Sequence, residues 1–298
     1  MSEHYGKKIA EKNNFDIISC DVCKFIHVIP IPSENDLLNL YKNDFFQKIK
    51  PNDIEKENQE FSYWKTTFDD KLSSAQNFLG KTGRFLDIGC GSGSLLLRAK
   101  EFGWDTYGIE PSSEAATHAK NNGLKINENF FQNLDLTKLG LFDVIHMKNL
   151  LEHIASPSEI IEKCKLILSK NGIIIIEVPN DFNPLQQIAE NFLDKPLYWI
   201  DPPVHINYFN FKSLSSFLIS HNFEILLKES TFPLELFLLM NENYLEDNEL
   251  GKKKHDQRIK FESNLINFGK NDLKREIYKN FAELGIGRSQ IIYAQIKK

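Results

Sequence analysis

The sequence contains few cysteines, no large excess of either charge and no long apolar run. Its four cysteines among 298 residues do not resemble a disulfide framework, which favours a reducing compartment and a cytoplasmic location. Because the formal net charge is −5, no polycationic surface is expected and nucleic acid is an unfavourable partner. The longest strongly apolar runs, such as IIIIEV at 173–178, are far too short for membrane insertion.

The first residues, MSEHYGKKIAEKNN, also lack an apolar core, so we expect no secretory signal there. Hydrophobic residues make up 41% and charged residues 26% of the chain, as in folded globular proteins. We predict an N-terminal module with a charged helical arm at 1–70, which we interpret as a lid, and a main domain at 71–298. Elaborations of the main domain at 181–210 and 231–286 are expected to shape a pocket.

Strand-like and helix-like segments alternate through the middle of the chain. The predicted strands lie at 83–89, 104–110, 124–130, 142–148 and 172–180. The predicted helices lie at 94–103, 112–123 and 156–170, and the last begins with the capping box SPSE. This alternation predicts an α/β fold with a Rossmann-like, mostly parallel sheet that carries helices on both faces.

A glycine loop follows the first of these strands, in the stretch LDIGCGSG (86–93). Glycines here let the backbone turn sharply and approach a nucleotide-like cofactor. Gly89, Gly91 and Gly93 are evenly spaced, which departs from the template of nicotinamide enzymes. Asp87 would repel a pyrophosphate, but it would attract the ammonium and sulfonium groups of S-adenosyl-L-methionine. The loop therefore disfavours a nicotinamide dehydrogenase.

Glu110 ends the second strand of the series. A carboxylate at that place can accept hydrogen bonds from both ribose hydroxyls of an adenosine. A strand-end carboxylate is often only solvated, but its combination with D-x-G-x-G at this spacing indicates a cofactor site.

These motifs, together with YGIEPS, FDVIHMKNLLEHI, LSKNGIIIIEVPN and PPVHINYF, resemble those of class I S-adenosylmethionine-dependent methyltransferases over about residues 80–230. The ending LGIGRSQIIYAQIK is similar to that of bacterial small-molecule and sugar methyltransferases. The resemblance implies a seven-stranded sheet whose last strand is antiparallel, with a helical insertion. It also implies a small-molecule acceptor, and it leaves open whether the protein is a homodimer.

The same resemblance implies which residues hold the cofactor. Asp87, Gly89 and Gly91 would line the methionine moiety, and Glu110 would hold the ribose. Residues near Gln132 and Asn133 would face the adenine, although NFFQNLDL departs from the usual acidic pattern there. The predicted cofactor site also includes Cys90, Pro111 and Lys148.

Methylation of a hydroxyl requires a group that removes its proton, and histidine is the usual base near neutral pH. His205, in the proline-rich and aromatic segment DPPVHINYF, is the preferred catalytic base. His153, in LLEHI, is the second candidate, with a structural pairing to Glu152 as its alternative role. His146 lies within a strand and is interpreted as core or cofactor wall. Aromatic side chains expected to bind a ring substrate are Tyr198, Trp199 and Tyr208.

Three acceptor hypotheses stay open. The first is a hydroxyl of a sugar, nucleotide-sugar or glycan precursor, as in carbohydrate biosynthesis. The second is a phenol or quinone precursor, because LLEHI also occurs in that group. The third, from another class, is a noncatalytic adenosylmethionine-binding scaffold subunit.

Cys20 and Cys23 form a C-x-x-C, and their surroundings resemble the N-terminal module of some sugar methyltransferases, where further cysteines complete a zinc site. Because no second cysteine pair exists, we predict no metal here, but a metal-free remnant or a lid. His4 and His27 are the further donors that a four-coordinate site would need. The charged run KKKHDQR (252–258) is interpreted as a solvated helix face.

Overall fold

The computed structural model describes residues 4–33, 36–37 and 60–298. Residues 38–59, which belong to the predicted helical arm, lie outside this part of the chain. The described strands are β1 (Gly6–Lys12), β2 (Phe15–Cys20), β3 (Ile26–Ile29), β4 (Arg84–Ile88), β5 (Asp105–Ile109), β6 (Lys125–Asn127), β7 (Phe142–Lys148), β8 (Leu168–Pro179), β9 (Asn207–Tyr208), β10 (Phe223–Ser230) and β11 (Ser289–Ile296).

The described α-helices connect these strands or extend them. They are α1 (Phe61–Leu79), α2 (Ser94–Glu101), α3 (Ser113–Asn121), α4 (Pro157–Ile167), α5 (Pro184–Leu193), α6 (Phe211–Ser220), α7 (Glu235–Leu239), α8 (Asn248–Asn267) and α9 (Asn271–Glu283). Single turns of 3-10 helix lie at Phe131–Asn133, Leu136–Lys138 and Leu151–His153. None of the described helices combines the length and apolarity needed to cross a membrane.

Seven strands form the main sheet, in the order β10-β11-β8-β7-β4-β5-β6. β4 pairs in parallel with both β5 and β7, and β5 pairs in parallel with β6. The predicted Rossmann-like sheet, mostly parallel with an antiparallel end and flanked by helices, is confirmed. In a parallel sheet the carboxyl ends of the strands share one edge, which is where cofactor loops are placed.

The position of β8 in the interior of the sheet explains why its sequence is almost continuously apolar. Its four consecutive isoleucines at 173–176 are fully buried, because helices cover both faces of such a sheet. β8 begins at Leu168, earlier than the predicted 172, and α4 accordingly ends at Ile167 instead of about 170. Alternation of apolar residues could not separate the helix end from the strand start in this region.

The capping side chains at the helix starts agree with the sequence-based expectation at one helix and differ from it at others. The Ser112 side chain accepts a hydrogen bond from the Ala115 N–H and caps α3, at the serine with which the predicted helix 112–123 begins. The capping box expected at Ser156 does not form, because the Ser156 side chain makes no capping bond. A capping box occurs instead at Asn183, whose side chain pairs with Gln186 at the start of α5.

The second sheet has the order β1-β2-β3-β9. β1, β2 and β3 are antiparallel neighbours, and β3 pairs with β9 so that His27 lies opposite Asn207. The Val28 N–H also donates to the Ile206 carbonyl over 3.0 Å. The N-terminal strands therefore contact the segment that carries His205.

Packing divides the chain into two compact, discontinuous units. Unit 1 comprises Met1–Pro30, Glu177–Phe217 and Leu227–Ile292. Unit 2 comprises Ile31–Ile176, Leu218–Leu226 and Tyr293–Lys298.

The charged run at 252–258 lies within α8, where it is not uniformly solvated. Lys254 and Arg258 are buried, while Lys252 and Lys253 are exposed. Lys254 forms an ion pair with Glu242, which supplies the partner that a buried ammonium needs. The prediction of a fully solvated face was therefore wrong for two of the cations in this run.

Candidate functional site

The glycine loop between β4 and α2 is held by the backbone of the neighbouring strand β5. The N–H groups of Gly89 and Cys90 donate to the Ile109 carbonyl over 2.8 and 3.2 Å. Gly89 and Gly91 have φ angles of +75° and +53°, a region that favours glycine. A Cβ at Gly91 would meet no atom within 4 Å, so the backbone of the loop faces open space there. This is the close backbone access that a cofactor needs.

Glu110 links this loop to α3. Its Oε2 accepts the Gly91 N–H and its Oε1 accepts the Ser112 N–H, each over 2.8 Å. The side chain is only 4% exposed, and burial raises its pKa to about 7 against the two hydrogen bonds that favour the ionised form. Each carboxylate oxygen has a second lone pair, so hydroxyl donors can still be accepted.

Asp87 is the second buried carboxylate of unit 2. It lies at the end of β4, is 4% exposed, and its Oδ1 is 2.7 Å from His146 Nδ1 on β7. β4 and β7 are parallel neighbours in which Asp87 lies opposite His146, so sheet register fixes this pair. His146, interpreted from sequence as core or cofactor wall, thus orients Asp87.

The other residues of the predicted cofactor site lie on three further segments of unit 2. Gln132 and Asn133 form the short helix after β6, where the Lys163 ammonium donates to the Gln132 carbonyl. Lys148 ends β7 and its ammonium lies 4.3 Å from the centroid of the Trp64 ring. Cys90 and Pro111 are partly exposed neighbours of the loop, and burial raises the pKa of the Cys90 thiol, which keeps it protonated.

The open loop and its two carboxylates fit S-adenosyl-L-methionine. The loop offers an open backbone surface at Gly91, Asp87 offers a carboxylate for a cationic amino acid, and Glu110 offers acceptors for a diol. Asp105, at the start of β5, already accepts hydrogen bonds from the Tyr107 hydroxyl and the Lys125 ammonium. Asp87 and Glu110 are therefore the two acidic residues that this loop presents to a ligand.

His153, a predicted catalytic residue, lies in the short helix after β7 in the same unit. It is buried, and its Nε2 is 3.7 Å from Glu152 Oε1. The two side chains are neighbours, but 3.7 Å is longer than a hydrogen bond, so both the catalytic role and the structural pairing of His153 stay predictions. This geometry is compatible with an orienting role for Glu152.

A second polar cluster occupies unit 1. Asp181 follows β8, Glu235 begins α7, Arg288 immediately precedes β11, and Tyr198 and Tyr244 lie in the connecting segments. Arg288, the cation between two carboxylates, interacts electrostatically with the other four groups, and Glu235 also interacts with Asp181 and both tyrosines. We call them the acceptor cluster.

The acceptor cluster contains polar atoms that the protein leaves unsatisfied. Glu235 is 1% exposed, yet neither carboxylate oxygen has a hydrogen-bond partner among the described residues. The buried hydroxyl of Tyr198 also has no hydrogen-bond partner in the described part of the chain. Burial raises the pKa of Asp181 to about 7. Because buried polar groups are nearly always paired, these atoms indicate a site built for a polar ligand.

Backbone hydrogen bonds hold Asp181 and Arg288 in place. The Asn180 N–H donates to the Arg288 carbonyl, and the Asn180 side chain donates to the carbonyls of Gly285 and Gly287. The Asp181 N–H donates to the Phe209 carbonyl over 2.8 Å. These bonds fix the backbone at the two oppositely charged residues, just after the end of β8 and just before the start of β11.

The predicted substrate and catalytic residues of the 198–209 segment belong to the same unit. Tyr198 joins the acceptor cluster, whereas Trp199 is buried edge-on against Phe182 and Tyr198 at 5.4 and 5.0 Å between ring centroids. Tyr208 is buried in β9 and its hydroxyl donates to the His205 carbonyl over 2.8 Å. His205 is partly exposed, and its N–H donates to the Asp201 carbonyl.

Sequence reasoning missed Asp181, Glu235 and Arg288. Asp181 carried a usable signal, because it follows a buried strand as Glu110 does. Glu235 carried none, since it stands in a segment without a motif. Arg288 lies in the motif LGIGRSQIIYAQIK, but nothing in that motif indicates a partner, and both residues join the cluster only through the tertiary fold.

A family model described as a methyltransferase domain matches residues 59–228. Two curated ubiquinone biosynthesis O-methyltransferases are similar to this chain. That of Actinobacillus pleuropneumoniae serotype 5b (strain L20) is 35% identical over 116 residues, 36% of this chain and 49% of that protein. That of Caulobacter sp. (strain K31) is 30% identical over 128 residues, 41% of this chain and 51% of that protein. The chain thus spans about half the length of these curated relatives.

Solved structures extend the likeness of fold over most of the chain. The plantazolicin methyltransferase in complex with a pentazolic desmethyl analogue and SAH has a TM-score of 0.53 at 17% identity, covering 88% of this chain and 95% of that one. The same enzyme in complex with SAH alone has a TM-score of 0.51 at 17% identity, covering 88% and 94%.

Proposed function

Because this chain belongs to the class I S-adenosylmethionine-dependent methyltransferases, as its motifs predicted, we propose that it transfers the methyl group to a hydroxyl of a small polar acceptor. The acceptor class we favour is a sugar, nucleotide-sugar or glycan precursor. The carbohydrate assignment is our proposal, since the relatives by name support O-methylation without a sugar.

The observation that carries this proposal is the acceptor cluster with its unsatisfied carboxylate and hydroxyl. A molecule with several hydroxyl groups would donate to both oxygens of Glu235 and pair with the Tyr198 hydroxyl. An apolar acceptor would leave the same atoms unpaired, at about 1–3 kcal/mol for each. The cluster therefore selects for a hydroxylated ligand.

The bound S-adenosyl-L-methionine supplies an electrophilic methyl group on a positively charged sulfur. In our proposal the Asp87 carboxylate, oriented by His146, binds the ammonium group, and Glu110 accepts the ribose hydroxyls. His205 accepts the proton of the attacking hydroxyl, and Asp181 is the alternative acceptor, because its pKa of about 7 also suits a base near neutral pH. The remaining polar groups of the cluster align the acceptor, which lowers the entropic barrier of the reaction.

The test is transfer of a radiolabelled methyl group from S-adenosyl-L-methionine to a panel of acceptors. The panel contains nucleotide sugars, free sugars, catechols and polyprenylated hydroxybenzoates, and Asp87→Ala serves as the control with weakened cofactor binding. We expect label on a sugar oxygen, with S-adenosylhomocysteine formed in equal amount. Binding of the cofactor without transfer to any acceptor would favour the noncatalytic scaffold alternative.

A phenol or quinone precursor is the second candidate function. It is favoured by the 35% identity over 116 residues to a ubiquinone biosynthesis O-methyltransferase. The catechols of the panel separate the two candidates: label on a catechol oxygen and none on the sugars would reject the sugar proposal. Label on a sugar oxygen and none on the catechols would mean that this chain and the ubiquinone biosynthesis enzymes share only the cofactor-binding half.

A further inference from the structure

Four potential metal ligands of the N-terminal sheet converge in unit 1, although one of them, His4, is distant in sequence from the other three. His4 Nδ1 lies 3.2 Å from Cys23 Sγ, 3.7 Å from Cys20 Sγ and 3.2 Å from His27 Nε2. One donor atom from each of the four residues lies within 4.8 Å of all the others. We call these residues the Cys2His2 cluster.

Strand pairing brings the four side chains together. Gly6 lies opposite Cys20 where β1 meets β2, and the Asp21 N–H donates to the Tyr5 carbonyl over 2.9 Å. A Cβ at Gly6 would come 2.0 Å from the Ser19 carbonyl oxygen, so glycine is required for this close approach. Two residues before Gly6, His4 is thereby placed beside the cysteines.

The turn after β2 presents the two sulfur atoms in the manner of a metal-binding knuckle. The N–H groups of Val22 and Cys23 point at Cys20 Sγ over 3.4 and 3.3 Å. The Lys24 N–H closes the turn on the Cys20 carbonyl, with Lys24 at a φ of +63°. Backbone donors aimed at a sulfur stabilise the negative thiolate, which is the form that binds a metal.

The second nitrogen of His27 is already engaged. Its Nδ1 donates to the Val28 carbonyl over 2.8 Å, which leaves Nε2 as the atom facing the cluster. A carbonyl partner that fixes the tautomer is the usual outer contact of a metal-binding histidine. The histidine itself is 1% exposed, so its orientation is set by packing.

We propose that the Cys2His2 cluster binds one Zn²⁺ ion as a closed, structural, four-coordinate site. Bond lengths of about 2.0 Å to nitrogen and about 2.3 Å to sulfur separate the donors of a tetrahedral zinc by about 3.3–3.8 Å. The three separations from His4 Nδ1, 3.2, 3.2 and 3.7 Å, lie close to that range. Two sulfurs with two imidazoles select zinc over calcium or magnesium, which prefer oxygen.

This proposal departs from the metal-free module expected from the sequence. That expectation required a second cysteine pair, whereas the fold recruits His4 and His27 in its place. Through the pairing of β3 with β9, the ion would also hold the segment that carries His205.

The first experiment measures zinc in the purified full-length protein by mass spectrometry, after growth with zinc and dialysis. We expect about one zinc per chain, and none in the Cys20→Ser/Cys23→Ser variant. Cys164→Ala is the matched cysteine control, because Cys164 is buried in α4, outside the cluster, and it should keep the ion. Less than about a tenth of an equivalent in the wild type, or unchanged zinc in the double variant, overturns the proposal.

His4 provides a test that does not depend on folding of the cysteine variant. His4→Ala should bind zinc at least tenfold more weakly, while His4→Cys, which supplies another zinc ligand, should retain it. His118→Ala, a histidine on α3, is the matched control and should bind as the wild type does. Equal zinc affinity of His4→Ala and wild type would reject His4 as a ligand.

Cobalt gives a readout of geometry in the wild-type chain. After removal of zinc by a chelator, one equivalent of Co²⁺ should produce the strong visible absorption of a tetrahedral ion and a sulfur-to-cobalt band. Added Zn²⁺ should abolish both signals. Weak octahedral absorption without the sulfur band would overturn the four-coordinate assignment.

Discussion

Two buried acidic sites in the described part of the chain, one in each unit, differ in how far the protein supplies their hydrogen bonds. In unit 2 the carboxylates of Asp87 and Glu110 each accept hydrogen bonds from protein groups. In unit 1 the Glu235 carboxylate has no hydrogen-bond partner among the described residues. The first site is thus organised before its ligand arrives, whereas the second depends on its ligand for hydrogen bonds. We expect mutations to weaken cofactor binding in the first and acceptor use in the second.

The largest effect is expected for Asp87→Ala. Loss of this carboxylate removes the partner of the ligand ammonium and leaves His146 unpaired, at about 3 kcal/mol for a charged hydrogen bond. Affinity for S-adenosylmethionine and S-adenosylhomocysteine, measured by calorimetric titration, should fall about 100-fold. NAD should bind to neither protein.

The control for this variant is Asp105→Ala, which removes an exposed carboxylate paired with Lys125 on the same sheet. Its affinity for both sulfur ligands should equal that of the wild type. Binding of NAD by the wild type, without binding of S-adenosylmethionine, would contradict the role of Asp87.

The second-largest effect is expected on kcat, from variants of the candidate catalytic bases. His205→Ala should lower kcat about 100-fold, as removal of a general base does, without changing the affinity for S-adenosylmethionine. His153→Ala and Asp181→Asn are measured beside it, each with a pH profile. A normal kcat for His205→Ala and a large loss for Asp181→Asn would transfer the role of base to Asp181. Normal turnover in all three would point to a nitrogen or carbon acceptor.

An effect of intermediate size is expected on the pH dependence of stability, because burial raises the pKa of Glu110 to about 7. The folded chain holds this proton more tightly than the unfolded chain, whose value is near 4.5. The contribution to stability is therefore full below about pH 4.5 and is lost as the pH rises through 7. The free energy of unfolding of the wild type should fall over this range relative to Glu110→Gln, by at most about 1.4 kcal/mol per pH unit.

Cofactor affinity should change in the opposite direction in the same window. Ribose hydroxyls donate to the ionised carboxylate, so the wild type should bind S-adenosylmethionine more tightly as the pH rises to 7. Glu110→Gln should bind more weakly, with no such dependence. Glu128→Gln is the control, because the pKa of exposed Glu128 is lowered by Lys120 and leaves this window unaffected. A pH-independent affinity of the wild type would reject a direct contact of Glu110 with the ribose.

The smallest effect distinguishes a satisfied hydroxyl from an unsatisfied one. Tyr198→Phe removes a buried hydroxyl without a hydrogen-bond partner in the described residues, so the free energy of unfolding should rise by about 1 kcal/mol. The KM for the acceptor should rise about tenfold. Tyr208→Phe removes a hydroxyl that donates to the His205 carbonyl, and it should lose about 1 kcal/mol. Equal changes in stability would remove the distinction between the two sites.

The same contrast explains what could be predicted from the sequence. Asp87, Gly89, Gly91 and Glu110 lie within 25 residues of one another, on one strand, its loop and the next strand. Their spacing in the sequence was therefore enough to predict a cofactor site, and the alternation of strands and helices was enough to predict the sheet. The sharp end of α4 at Ile167 could not be predicted, because β8 begins at the next residue without a turn signal.

The residues of the acceptor cluster and of the Cys2His2 cluster could not be grouped by local spacing. Asp181, Glu235 and Arg288 come from three distant segments, and no local pattern joins them. His4 meets Cys20 only because Gly6 allows β1 to approach β2 closely. Contacts of this kind depend on pairing across the fold, which a motif does not encode.

The anchoring of Asn180 to the backbone of Gly285 and Gly287 has a consequence for the order of assembly on the ribosome. These partners are separated by 105 and 107 positions, so Asp181 and Glu235 are synthesised well before the guanidinium of Arg288 becomes available. A nascent chain from which Arg288 has not yet emerged would present the carboxylates of Asp181 and Glu235 without their cation. The cluster can therefore close only after Arg288 has left the ribosome, which makes the segment around Gly285 and Arg288 decisive for this part of unit 1.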